Sequence, residues 1–225
     1  AIPPDVGPHD PLRPDGATVE RTAELARELG LELVLETGAR FVLDPRTKHF
    51  PTLLEEATAD RERRIEFLVA SVALARSLGA RVVSLWSGRA PGDLTGDGAT
   101  GADVDRLLER LAEGLRPVLD AAGTYGVRIG FEPEPGMFIE RPAGYERLLE
   151  TLGPHADALG LTLDVGHCVC TGDVPIEAVL HAHADRLVGV QLDDMRAGDH
   201  THLMFGEGEL DLPATLGALI GIGFS

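Results

Sequence analysis

Leu159-Gly160-Leu161-Thr162-Leu163-Asp164-Val165-Gly166-His167 carries a short apolar run straight into a carboxylate and then, after a glycine, into an imidazole. The pattern places Asp164 at the end of a buried strand and His167 within reach of the same space. Carboxylate oxygens suit a hard divalent cation, and the imidazole widens the choice from magnesium to manganese, cobalt or zinc. An aspartate here could equally cap a following helix.

Working outward, the same unit recurs: an amphipathic helical stretch, a break at or near glycine, and an apolar run closed by a polar or aromatic residue. Expected helices at Thr18 to Leu29, Arg61 to Leu78, Val104 to Ala122, Ala143 to Leu152 and Pro175 to Asp185 each lead into a run. The runs close on Glu36, Trp86, Glu132, Asp164 and Gln191, and a last helix begins near Leu212. Strands alternating with helices imply parallel pairing, which gathers the strand ends on one face. Little polar alternation within the runs fits strands covered on both sides. No glycine-rich dinucleotide fingerprint follows the first strand, and carboxylate, carboxylate and amide at three successive strand ends suit the rim of a β/α barrel, the TIM barrel.

Such a barrel closes with about eight strands, whereas five runs are legible here. The expectation is one α/β domain over residues 1–225, a partial barrel lacking the first two strands and the last, with an open, curved sheet.

Gly130-Phe131-Glu132-Pro133-Glu134-Pro135 sets an acid at a strand end and follows it with prolines that forbid continued ladder pairing, so Glu132 is held at the rim. In Asp199-His200-Thr201-His202, two histidines two apart face one way only if the chain is extended, and Gly206 and Gly208 allow a turn that favours His202. A surface loop accounts for His200 equally well. His49, in the loop after the first strand, and Trp86 are candidates to approach a substrate.

The net charge of −17 disfavours nucleic acid and anionic membranes as partners. No apolar run reaches the roughly 18 to 20 residues of a spanning helix, and residues 1–14 have no signal-peptide pattern. Cys168 and Cys170 are too close for an ordinary disulfide, which makes a reducing cytoplasm the simpler home. A homo-oligomer is left open.

Together these stretches resemble the superfamily that holds xylose isomerase, ketose 3-epimerases, hydroxypyruvate isomerase, inosose dehydratase and endonuclease IV. The resemblance aligns Glu132 with the family's glutamate ligand, Asp164 and His167 with its aspartate and histidine, and Gly206-Glu207-Gly208 with its glycine pair before the last helix. It implies a divalent-metal sugar or sugar-phosphate isomerase or epimerase that moves a proton next to a carbonyl through an enediolate. Glu132, His167 and His202 would be catalytic, His200, His49 and Trp86 would meet substrate, and Glu132, Asp164, Gln191 and His202 would hold the metal. Gln191 stands where the family usually has a histidine, with Asp194 matching the aspartate three residues on, and the family's glutamate on an eighth strand would fall beyond Ser225. Two alternatives remain: an endonuclease-IV-like metal phosphodiesterase, and a non-catalytic accessory or binding protein.

Overall fold

The computed structural model describes residues 9–38, 40–91, 94–97 and 100–224. In chain order the main elements are α1 (Gly16–Glu28), β1 (Val34–Glu36), α2 (Thr58–Leu78), β2 (Val82–Leu85), α3 (Ala102–Tyr125) and β3 (Arg128–Phe131). They continue with α4 (Pro142–Leu152), β4 (Leu159–Asp164), α5 (Val165–Thr171), α6 (Ile176–Ala182), β5 (Leu187–Gln191), β6 (Asp194–Arg196), β7 (Asp199–Leu203) and α7 (Leu212–Gly221). Every strand and helix expected from the sequence is present within a few residues of its expected bounds. The hairpin β6–β7 and the short helix α5 are additional.

Strands β1 to β5 form one parallel sheet in sequence order. This is a half-barrel, as expected for a partial barrel. Left-handed glycines stop the two long helices, Gly79 at φ 76° after α2 and Gly126 at φ 67° after α3. Only glycine takes this conformation without strain, so both helices turn sharply back into a strand.

One face of the sheet is packed against the helices. Leu35, Val83, Leu85, Ile129, Phe131 and Leu161 are fully buried together with Phe67, Val72, Leu111 and Leu115 of α2 and α3. The other face is concave and lined by small residues. A side chain at Gly130 would overlap Thr162, and one at Gly160 would overlap Val188, so these glycines let neighbouring strands curl tightly.

Register carries the curvature to the strand ends. Glu36 pairs with Ser84, Leu85 with Phe131, and Asp164 with Gln191, and the Glu132 amide extends the ladder by donating to Leu85 O at 2.8 Å. Glu36, Glu132, Asp164 and Gln191 therefore share one rim. A cavity of about 610 Å³, lined in part by Val34, Thr162, Val188 and Phe224, opens between β1 and β5, and neither edge has a second strand partner among the described residues.

Candidate metal centre

Glu132 leaves the end of β3 nearly buried, at 5 % exposure. Its Oε2 accepts from Ser84 Oγ at 3.2 Å and from Gln191 Nε2 at 3.4 Å. Its Oε1 lies 3.7 Å from His167 Nδ1. Burial, and then the charges of Glu36, Glu134 and Asp164, push its carboxyl well above the ordinary range.

Asp164 answers both readings of the sequence. Its Oδ1 caps α5, accepting from the amides of Gly166 at 2.8 Å and His167 at 3.1 Å. Its Oδ2 is left facing the rim, 3.8 Å from His167 Nε2. Burial and then the Asp193 charge raise its pKa, so among the described residues neither Glu132 nor Asp164 has a positive neighbour that offsets its burial.

The His167 ring has a fixed orientation. Nδ1 lies 3.2 Å from Pro133 O, and a carbonyl can only accept, so Nδ1 carries the proton and Nε2 presents a lone pair. Burial, followed by the His200 charge, pulls this imidazole down to about 4, which keeps it in the neutral, ligand-competent form at neutral pH. One potential ligand atom from each of Glu132, Asp164 and His167 falls within a single 4.8 Å cluster.

Strand β7 is extended, so His200 and His202 face the same way. His200 Nε2 lies 3.1 Å from His167 Nε2, and His202 Nδ1 is bonded to the Asp193 carboxylate. The three imidazoles form a second cluster of the same compactness. Asp194, buried at the start of the hairpin, draws the following loop over the strand ends by accepting from the amides of Gly206, Gly208 and Leu210 at 2.8, 2.9 and 2.9 Å.

Gln191 meets its neighbours through nitrogen. Nε2 donates to Glu132 and to Glu36 Oε1, the latter at 3.3 Å. Its amide is thus placed at the rim, with the carbonyl oxygen turned from Glu132.

A pocket of about 640 Å³ adjoins this rim, and His49, Trp86, Glu134 and His200 are among the residues that line it. The His49 ring stands edge-on to Trp86, with centroids 5.1 Å apart, and its Nδ1 is buried without a hydrogen-bond partner. The structure therefore brings Glu132, Asp164, His167, His200, His202 and Gln191 together on one rim, and sets His49 and Trp86 in the pocket beside it.

Sequence reasoning gave no site role to Glu36 and Asp193 and left Glu134 open between a solvated loop and a site. Glu36 ends its strand on an acid, the same signal that drew attention to Glu132 and Asp164. Asp193 orients His202 across a hairpin too short and polar to read as strands. Glu134, followed by proline, looks like a solvated loop acid, yet burial pushes it up to about 7.

A parallel β/α half-barrel with carboxylates and imidazoles at the C-terminal ends of its strands defines the class of TIM-barrel proteins with a rim site. The chain belongs to the xylose isomerase-like TIM barrel family, whose sequence model matches residues 2–225. An inosose dehydratase of Lactiplantibacillus plantarum is 29% identical over 93 residues, which are 41% of this chain and 30% of that protein. The chain therefore spans under a third of that curated relative. In fold it is similar to a D-tagatose 3-epimerase-like protein (TM-score 0.74, 19% identity, 94% of this chain and 74% of that one). It is also similar to an IolI protein solved with a bound zinc atom (TM-score 0.66, 21% identity, 92% and 70%). Among the described residues no helix is long and apolar enough to cross a membrane.

Proposed function

We propose that this chain carries the metal-binding half-site of a sugar or sugar-phosphate isomerase or epimerase that transfers a proton next to a carbonyl. The observation that carries this reading is the cluster of Glu132, Asp164 and His167, ligand atoms within 4.8 Å of one another and buried at three points of a barrel rim.

The donors fit a divalent cation. Two acids whose ionised forms are disfavoured by burial and by neighbouring carboxylates are what such an ion stabilises, and the Nε2 lone pair of His167 suits manganese, cobalt or zinc better than magnesium alone. When bound, the cation would polarise the substrate carbonyl and stabilise enediolate charge. Glu132 and Asp164 would hold it, with His202 and the carbonyl oxygen of Gln191 available as the amide turns.

The remaining roles fall to the chain's own groups. Glu132, ionised when the cation is bound, removes the proton beside the carbonyl. His167, neutral and fixed by Pro133 O, offers Nε2 to the cation or to a substrate hydroxyl, and His200, His49 and Trp86 position the sugar in the adjoining pocket. The relative named as an inosose dehydratase and the epimerase-like fold neighbour support a polyol or sugar substrate.

The experiment is to incubate the Mn²⁺-loaded protein with a panel of ketoses in D₂O and follow loss of the proton next to the carbonyl by NMR. Exchange in the parent and none in Glu132→Gln supports the reading; no exchange with any ketose opposes it. A metal phosphodiesterase is favoured only by the second cluster, His167, His200 and His202, and the charge of −17 opposes a nucleic-acid substrate.

A further inference from the structure

Lys48 is the one lysine in this sequence; the other nineteen of its 20 basic residues are arginines. It lines the pocket beside the metal centre together with His49, Thr52, Arg89 and Glu134. No hydrogen bond or ion pair engages its ammonium among the described residues, whereas Arg89 is tied to Gly136 O through Nε at 3.3 Å.

Behind the pocket wall lies a second cation without a counter-charge among the described residues. Arg64 is 1% exposed, stacked 4.9 Å from the Trp86 ring centre and 5.3 Å from that of Phe67. Nη2 donates to Thr37 O at 3.0 Å, and Nη1 is unpartnered. Among the described residues no carboxylate meets this guanidinium, although acids far outnumber bases in the chain. Burying an unpaired charge is costly, so its presence beneath Trp86 calls for negative charge nearby.

Neither acid of the pocket is bonded to Arg64 among the described residues. Glu55 accepts from the Thr52 hydroxyl at 2.9 Å and its amide at 3.3 Å. His49 is kept neutral by burial and by the neighbouring Lys48 charge.

We propose that this pocket recognises an anionic substituent on the substrate, a phosphate or carboxylate at the end remote from the reacting carbonyl, through Lys48 and Arg89 with the field of Arg64 behind them. The inference rests on the sugar-processing reading of the adjoining rim and narrows it to phosphorylated or acidic sugars. A compact ammonium on a flexible stem suits such a group as a point charge, and the fixed guanidiniums add direction.

The lone lysine makes the test specific. Reductive methylation with formaldehyde and an amine-borane, both uncharged, is mapped by peptide mass at Lys48, with the α-amino group as internal reference. The arms are fructose 6-phosphate, gluconate, inorganic phosphate and fructose, at equal ionic strength. An anionic sugar is expected to slow modification of Lys48 about tenfold, and fructose less than about twofold. The better of the two anionic sugars identifies phosphate or carboxylate as the group read, and protection by inorganic phosphate adds support for phosphate. Lys48→Met should weaken binding of the protecting sugar about tenfold by calorimetry, Lys48→Arg should largely retain it, and both should bind Mn²⁺ as the parent does. Equal protection by fructose and the anionic sugars, or protection by none of them, overturns the proposal. Loss of Mn²⁺ binding in the parent would instead count against the reading of the rim.

Discussion

Gln191 Nε2 donates to Glu36 Oε1 at 3.3 Å, so the last strand of the sheet reaches the first across the mouth of the arc. The same nitrogen donates to Glu132. One amide thereby joins three strand ends, and the bridge uses two donors, more than a neutral imidazole has.

Replacing this amide should trade the bridge for metal affinity. Gln191→His is expected to bind Zn²⁺ or Co²⁺ about tenfold more tightly, because imidazole is the better ligand for these ions. Calorimetric titration of parent and variant checks it, and an unchanged affinity would place residue 191 outside the ligand set.

Glu134 provides a pH test with a fixed sign. Burial raises its pKa from an ordinary 4.5 to about 7, with Lys48 opposing and Glu36 reinforcing the shift. The folded protein thus holds this proton more tightly than the unfolded chain, and the group's contribution to stability falls as pH rises from 4.5 to about 7. Metal-free Glu134→Gln should therefore exceed the parent in stability by on the order of 1–3 kcal/mol at about pH 8, and the gap should close towards about pH 4. Urea unfolding at both pH values measures it.

The loop over the rim depends on a close approach. A side chain on Gly208 would overlap the Asp194 carboxylate and Met195 O, so Gly208→Ala should lose about 2 kcal/mol or more and displace the loop. Asp194→Asn, which leaves at least one of the three amides poorly satisfied, should cost about 1–3 kcal/mol. Thermal unfolding of both variants reads these losses.

Asp193 holds the Nδ1 proton of His202 and so aims Nε2 towards His167 and His200. If His202 ligates, Asp193→Asn should weaken Zn²⁺ binding about 10- to 100-fold, as removal of an orienting partner does. Equal affinity in parent and variant would assign the pair to hairpin structure alone.

The strand ends at Glu132 and Asp164 were legible because an apolar run closing on an acid, followed by proline or glycine, reports both burial and position. Parallel order followed from alternation, and the curved sheet from the polar residues that close successive strands. Glu36 carried the same signal at the first strand, but its partners stand 96 and 155 positions away at Glu132 and Gln191, and no local pattern reveals them. The β6–β7 hairpin escaped because Asp194, Arg196, Asp199 and His200 are poor strand formers, held instead by Asp194 and the loop it gathers. The pocket's charge was hidden too, since Arg64 lies on the buried side of an arginine-rich helix whose sequence reads as solvated.

The central claim is that Glu132 and Asp164 hold a divalent cation. Titration of the full chain with Mn²⁺, followed by electron paramagnetic resonance of the free ion, tests it most directly. A single tight equivalent is expected in the parent, weakened about 100-fold or more in Glu132→Gln and in Asp164→Asn, with both variants folded by circular dichroism. Absence of Mn²⁺ binding in the parent, or binding in both variants as tight as in the parent, would contradict it.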